Sequence, residues 1–152
     1  MIRIFQSETY DIIDAIYYSL NNWTLYKSSS VSVSSGANSV TITSPSANGL
    51  IYAAADTSYY TGNIYFKFKV VSFTGTIGVR YDSTSTRTAD FSTDLSVQTN
   101  DTVKVYDDGS YVKILVNDVE KVSVAHSSQI RFGLRIEAGS SVELTDIKVY
   151  PI

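Results

Sequence analysis

From Trp23 onward, apolar and polar positions alternate along the chain with a period of two. Val31/Val33 and Val40/Ile42 alternate with Ser and Thr, predicting two short strands separated by a turn at Ser35-Gly-Ala-Asn38. Leu50 to Ala53 continues the pattern. The longest alternating run is Asn63 to Phe73, in which Ile64, Phe66, Phe68 and Val70 share one face and Tyr65, Lys67 and Lys69 the other. That division marks a strand with one buried side. Thr76 to Tyr81 comes next, expected to be joined through Thr74-Gly75 as a hairpin. Residues 83–94 are rich in Ser, Thr and Asp with weak periodicity, predicting a long loop holding at most one short strand.

Val103/Val105 leads into Asp107-Asp108-Gly109-Ser110, where Asp-Gly tolerates the positive φ of a tight turn. Val112/Ile114/Val116 returns, and Asn117-Asp118 predicts a second turn into Val122/Val124. Ile130, Phe132, Leu134 and Ile136 are expected to pair, through Ala138-Gly139-Ser140, with the last strand. In that strand Val142 and Leu144 hold even positions, whereas Ile147 and Val149 hold odd ones. A one-residue slip inverts the faces, so a bulge is expected near Thr145–Asp146. Short strands at this spacing predict an all-β, two-sheet antiparallel β-sandwich of the jelly-roll kind over residues 22–152.

Residues 1–21 are different. Ile13, Ile16, Tyr17 and Leu20 recur at i, i+3, i+4, i+7, the spacing of one helical face. Three readings stay open: a short helix over one end of the sandwich, an attachment or oligomerisation element ahead of it, or an edge strand.

Composition supports the strand reading. The chain of 152 residues holds 16 Val, 14 Ile and 15 Thr against 7 Leu, and these β-branched side chains pack well on a pleated surface. Net charge is −3 and the basic residues are not expected to cluster into a patch, so neither nucleic acid nor an anionic membrane is an expected partner. With no cysteine there is neither a disulfide framework nor a thiolate metal site. Met1-Ile-Arg-Ile-Phe5 is not followed by a long apolar run, so a secretory signal is not expected, and the compartment stays unknown.

Several segments carry a family resemblance. Asn22-Trp23-Thr24 opens the first strand, and Tyr60-Thr-Gly-Asn-Ile-Tyr-Phe66 opens the long one. Tyr111-Val-Lys-Ile-Leu-Val-Asn-Asp118 forms a strand and turn, and Ser141 to Ile152 closes the domain. In this order they resemble the concanavalin A-like lectin and glucanase superfamily, laminin-G-like modules included. The resemblance implies a jelly roll hosting lectins, carbohydrate-binding modules, glycoside hydrolases or adhesion domains, so the fold alone does not choose among them.

Hydrolases of that superfamily are expected to carry Glu-x-Asp-x-x-Glu on one strand. Here Glu8, Glu120, Glu137 and Glu143 are scattered and none belongs to such a motif. The two carboxylates that glycoside hydrolysis requires are therefore not evident, and an enzyme is not expected. Asp107, Asp108 and Asp118 are expected at solvated hairpin tips. His126 stands alone in a polar turn, without a second metal ligand near it in sequence. Asp82, Asp90 and Asp94 flank the long loop and are the candidates for Ca²⁺, but dispersed loop acids are the simpler reading, so no cofactor is expected.

Sugar recognition uses aromatic faces and a few fixed polar groups. The candidates are Tyr59 and Tyr60 in a polar loop, Tyr81 and Asp82 at a strand end, and Arg80, Arg131 and Arg135 on an outward face. The expected function is a non-catalytic recognition module for a glycan or other surface polymer. The alternative is a structural or assembly domain of a viral or phage tail or fibre, with residues 1–20 contacting a homo-oligomer or virion partner.

Overall fold

The computed structural model describes residues 28–36, 39–52, 64–81, 87–125 and 132–151. The helical-face segment within residues 1–21, Trp23 and His126 lie outside them. The described residues form eleven strands: β1 (Ser32–Ser35), β2 (Ser39–Ser44), β3 (Gly49–Tyr52), β4 (Ile64–Thr74), β5 (Ile77–Arg80), β6 (Thr88–Asp90), β7 (Thr102–Asp107), β8 (Tyr111–Val116), β9 (Val119–Ala125), β10 (Gly133–Ile136) and β11 (Ser140–Pro151). They make a seven-stranded sheet in the order β1-β2-β11-β4-β7-β8-β9 and a four-stranded sheet in the order β3-β10-β5-β6. Every pairing is antiparallel. This is the expected two-sheet β-sandwich.

The alternation places the core. Phe66, Phe68, Val70, Val103, Val105, Val112, Ile114, Val142 and Leu144 line the inner face of the large sheet. Ile51, Ile77, Val79, Leu134 and Ile136 line the inner face of the small one. Burying apolar area at about 25 cal/mol per Å² drives the two faces together.

The predicted bulge is present. Thr145 pairs with Lys69 and Lys148 with Lys67, so Asp146 and Ile147 together oppose Phe68. Asp146 takes φ 54°, and Ile147 is fully buried. The extra residue returns the strand to register, setting Lys148 opposite Lys67.

Two expected hairpins are instead corners between sheets. β4 belongs to the large sheet and β5 to the small one, so Gly75 turns the chain across the sandwich. In the same way β10 and β11 lie in different sheets, joined through Glu137-Ala-Gly139. Gly75 has φ 81°, and a Cβ there would land on the Ser140 side chain. Ser140 is buried, and its Oγ accepts the Thr76 N–H at 2.8 Å. Gly75→Ala is therefore expected to cost about 2–3 kcal/mol through the left-handed backbone and the displaced serine. A urea midpoint equal to that of the parent protein would contradict this corner.

The 83–94 loop does hold one short strand, β6, but the segment after β6 is more ordered than its periodicity predicted. Phe91, Leu95 and Val97 are all buried. Asp90 caps a single turn, its Oδ1 accepting the N–H of Ser92 at 2.7 Å and of Thr93 at 3.1 Å. The chain then joins β4 through Val70, whose N–H donates to Asp101 O and whose carbonyl accepts the Asn100 N–H.

Candidate functional site

The outward face of the large sheet gathers residues that are far apart in sequence. On β11, β4 and β7, Lys148 lies opposite Lys67, and Lys67 opposite Lys104. Two positions along the same strands, Tyr150 lies opposite Tyr65, and Tyr65 opposite Tyr106. Three adjacent strands thus carry a row of lysines beside a row of tyrosines, at the usual strand spacing of about 4.8 Å. The local cause is a short pattern: Lys-Val-Tyr at 104–106 and 148–150, and Tyr-Phe-Lys at 65–67. β4 runs antiparallel to both neighbours, so its reversed order brings like beside like. On β8, Lys113 continues the tyrosine row opposite Tyr106. Lys69 lies beyond the lysine row, between Thr145 and Thr102.

The expectation that the basic residues do not cluster is corrected by this register. Lys67, Lys69, Lys104, Lys113 and Lys148 are dispersed in sequence but share one face of four neighbouring strands. Pleating places every second residue on that face, a relation invisible along the chain.

An open groove of about 250 Å³ lies on this face, lined by Lys67, Thr102, Lys104, Asn117 and Asp118. Hydrogen bonds tie its lining together. Asn117 and Asp118 adopt φ 50° and 67°, the two positive values of a type I′ hairpin turn. The Thr102 N–H donates to Asn117 Oδ1 at 2.9 Å, and the Asn117 N–H donates back to Thr102 O at 2.8 Å. Asn117 Nδ2 donates to Asp101 Oδ1 at 2.8 Å. Asp101 Oδ2 in turn accepts the Gln98 N–H at 2.8 Å. Lys104 Nζ donates to Asp118 Oδ1 at 2.7 Å. That hydrogen bond, with the Lys104 charge and a smaller contribution from Lys67, holds the Asp118 carboxyl below its ordinary value.

A lowered folded pKa contributes stability above the unfolded pKa of about 3.9 and loses it as pH falls through the folded value. Asp118 is exposed, so salt screens the effect. In Lys104→Gln the Asp118 titration midpoint is expected to rise towards the ordinary carboxylate range, read from its carboxyl carbon by NMR. An unmoved midpoint would separate Asp118 from Lys104.

The residues singled out from sequence fall elsewhere. Arg80 and Arg135 are half-buried on the outward side of the small sheet, and Arg135 is paired with Glu137. Tyr81 packs against the core, and its N–H donates to Arg87 O at 3.2 Å. Tyr59, Tyr60, Asp82 and Arg131 lie outside the described residues. The strand ends bordering them do meet at one end of the sandwich: Gly133 pairs with both Tyr52 and Arg80, and Arg80 pairs with Thr88.

Of the acids considered for calcium, Asp90 caps its own turn, and Asp94 Oδ2 accepts the Asp90 N–H at 2.8 Å. Asp82 lies outside the described residues. Among the described residues no group of three His, Asp or Glu side chains converges. Asp108 and Asp118 are exposed turn residues as expected, but Asp107 is not. It continues the inward parity of Val103 and Val105, is fully buried, and accepts the Gly109 N–H at 2.9 Å.

Comparison with solved structures places the sandwich among known ones. It is similar to the carbohydrate binding module CBM66 from Bacillus subtilis, with a TM-score of 0.54 and 12% identity over 78% of this chain and 91% of that one. It is also similar to a protein described as a possible glycosyl hydrolase from Parabacteroides distasonis, with a TM-score of 0.54 and 10% identity over 79% of this chain and 90% of that one. At these identities the likeness concerns the fold. No family model matches the chain, and no curated protein matches it in sequence.

Proposed function

We propose that the chain is a non-catalytic carbohydrate-binding module whose ligand lies on the outward face of the seven-stranded sheet. The observation that carries the reading is the groove lined by Lys67, Thr102, Lys104, Asn117 and Asp118, with Tyr106 two positions from Lys104 on β7. Tyrosine rings stack on the C–H faces of sugars, and held amide, carboxylate and ammonium groups orient hydroxyls. The shared fold with a carbohydrate-binding module supports it.

The non-catalytic part rests on charge. Glycoside hydrolysis needs one carboxyl kept protonated at working pH. Asp118, in the groove, is pushed the other way by Lys104. Glu120, the next carboxylate along the face, is paired with Lys113 at 3.7 Å.

Affinity electrophoresis through gels cast with a panel of polysaccharides tests the proposal. Retardation by at least one polymer is expected, with Tyr106→Ala weakening it about tenfold while the melting transition stays cooperative. No retardation by any polymer sinks the reading. If the double variant Tyr59→Ala, Tyr60→Ala abolishes binding and Tyr106→Ala does not, the ligand is held by those two tyrosines instead.

A further inference from the structure

We infer that the ligand of this face is an acidic polysaccharide carrying carboxylate groups along its chain, an inference that rests on the carbohydrate-binding reading above. More ammonium groups than carboxylates meet at the groove: Lys67 and Lys104 line it with Asp118, and Lys69 stands two positions along β4. Five of the twelve Lys and Arg residues lie on one face of four adjacent strands, in a chain of net charge −3. Lys67 is flanked directly by Lys148 on one side and Lys104 on the other. Like charges directly opposite in a sheet are destabilising.

The acids nearby relieve this only in part. Asp118 is hydrogen-bonded to Lys104, and Glu120 is paired with Lys113. Glu143 is engaged towards β2, its Oε2 accepting the Ser39 hydroxyl at 2.8 Å. Asp146 is exposed at the bulge. Among the described residues, neither Lys67 nor Lys69 has a hydrogen-bonded carboxylate. Past the bulge in β11, Lys148 falls opposite Lys67 in register. A sugar chain laid along the groove meets the ammonium groups of Lys67 and Lys104, with Tyr106 two positions along β7.

The chemistry of the cations selects among polyanions. All five on this face are lysines, whereas Arg80 and Arg135 belong to the other sheet. Arginine forks bind carboxylate and phosphate bidentately, whereas lysines act as separate point charges that match single anionic groups spaced one to a sugar. A chain with pI ≈ 5.0 also lacks the overall basic charge of a nucleic-acid-binding domain.

The test uses the full chain and isothermal titration against polygalacturonate, alginate and hyaluronan, fully methyl-esterified polygalacturonate, dextran, heparin and single-stranded poly(U). Binding to at least one carboxylated polymer is expected, weakening at least tenfold in about 0.5 M NaCl. Among pectic polymers, esterification should abolish it. Lys67→Gln and Lys69→Gln should each weaken binding about fivefold, and Arg87→Gln, which removes the same charge elsewhere, should not. Lys67→Gln should melt no lower than the parent, since it relieves repulsion, so any loss of binding is not loss of fold. Salt-insensitive binding to dextran alone overturns the acidic assignment and leaves the carbohydrate reading standing. Binding to heparin alone overturns the carboxylate assignment, and tighter binding of poly(U) than of every polysaccharide overturns the ligand class. No binding to any polymer overturns both readings.

Discussion

Phe91→Ala is expected to destabilise the sandwich by about 3–5 kcal/mol, lowering the melting temperature by about 10 °C. Phe91 is fully buried, although it lies in the stretch after β6 that belongs to no strand. Its ring stacks on Phe68 at 6.2 Å between centroids and meets Phe73 edge-on at 5.3 Å. Its N–H donates to Ile77 O at 2.8 Å, and its carbonyl accepts the Val97 N–H at 2.7 Å. One residue thus fills the core and fastens the segment that carries the chain from the small sheet to β7. Truncation leaves a cavity between two aromatic rings that strands on either side keep from closing. Phe91→Leu keeps most of the volume and should cost under about 1.5 kcal/mol. Thermal and urea denaturation of both variants checks this, and equal losses would mean that ring volume is not what matters.

Phe91 also marks a limit of what could be read from the sequence. Alternation reveals a residue's face only where the backbone is extended, and Phe91, Leu95 and Val97 sit in turns with no fixed period. Where the backbone is extended, the pattern was enough: it divided β4 between Phe66, Phe68 and Val70 on one side and Lys67 and Lys69 on the other, and it located the bulge at Asp146. The corners at Gly75 and Gly139 look like hairpins in sequence because both kinds of turn take a glycine of positive φ. What differs is whether the next strand pairs with its predecessor, and β5 instead pairs with β10, far along the chain. The burial of Asp107 had a signal too, since it continues the parity of Val103 and Val105. The lysine and tyrosine rows had theirs in the repeated Lys-Val-Tyr and the reversed Tyr-Phe-Lys. That signal acquires meaning only once β4 is known to lie between β7 and β11 with these registers.

Register also predicts a sharp contrast between two one-residue deletions. Removing Lys104 from β7, a central strand without a bulge, is expected to unfold the protein or cost about 5 kcal/mol, comparable to a whole domain's stability. Either Val103 must leave the core, or Val105 must leave it and Tyr106 enter with its hydroxyl unpaired. Lys104→Gln, which keeps the register, should stay folded. Removing Asp146 should be tolerated within about 1 kcal/mol. Thr145 would remain opposite Lys69, Ile147 would face Phe68 alone, and Lys148 would still meet Lys67, while a strained φ of 54° is lost. Amide dispersion in proton NMR and the cooperativity of melting distinguish the two. A folded Lys104 deletion would show that β7 can slip, and an unfolded Asp146 deletion would show that the bulge is required for more than parity. If the Asp146 deletion folds and keeps polysaccharide binding, the bulge serves to set Lys148 and Tyr150 in line with β4, and an unbulged strand in the same register does so equally well.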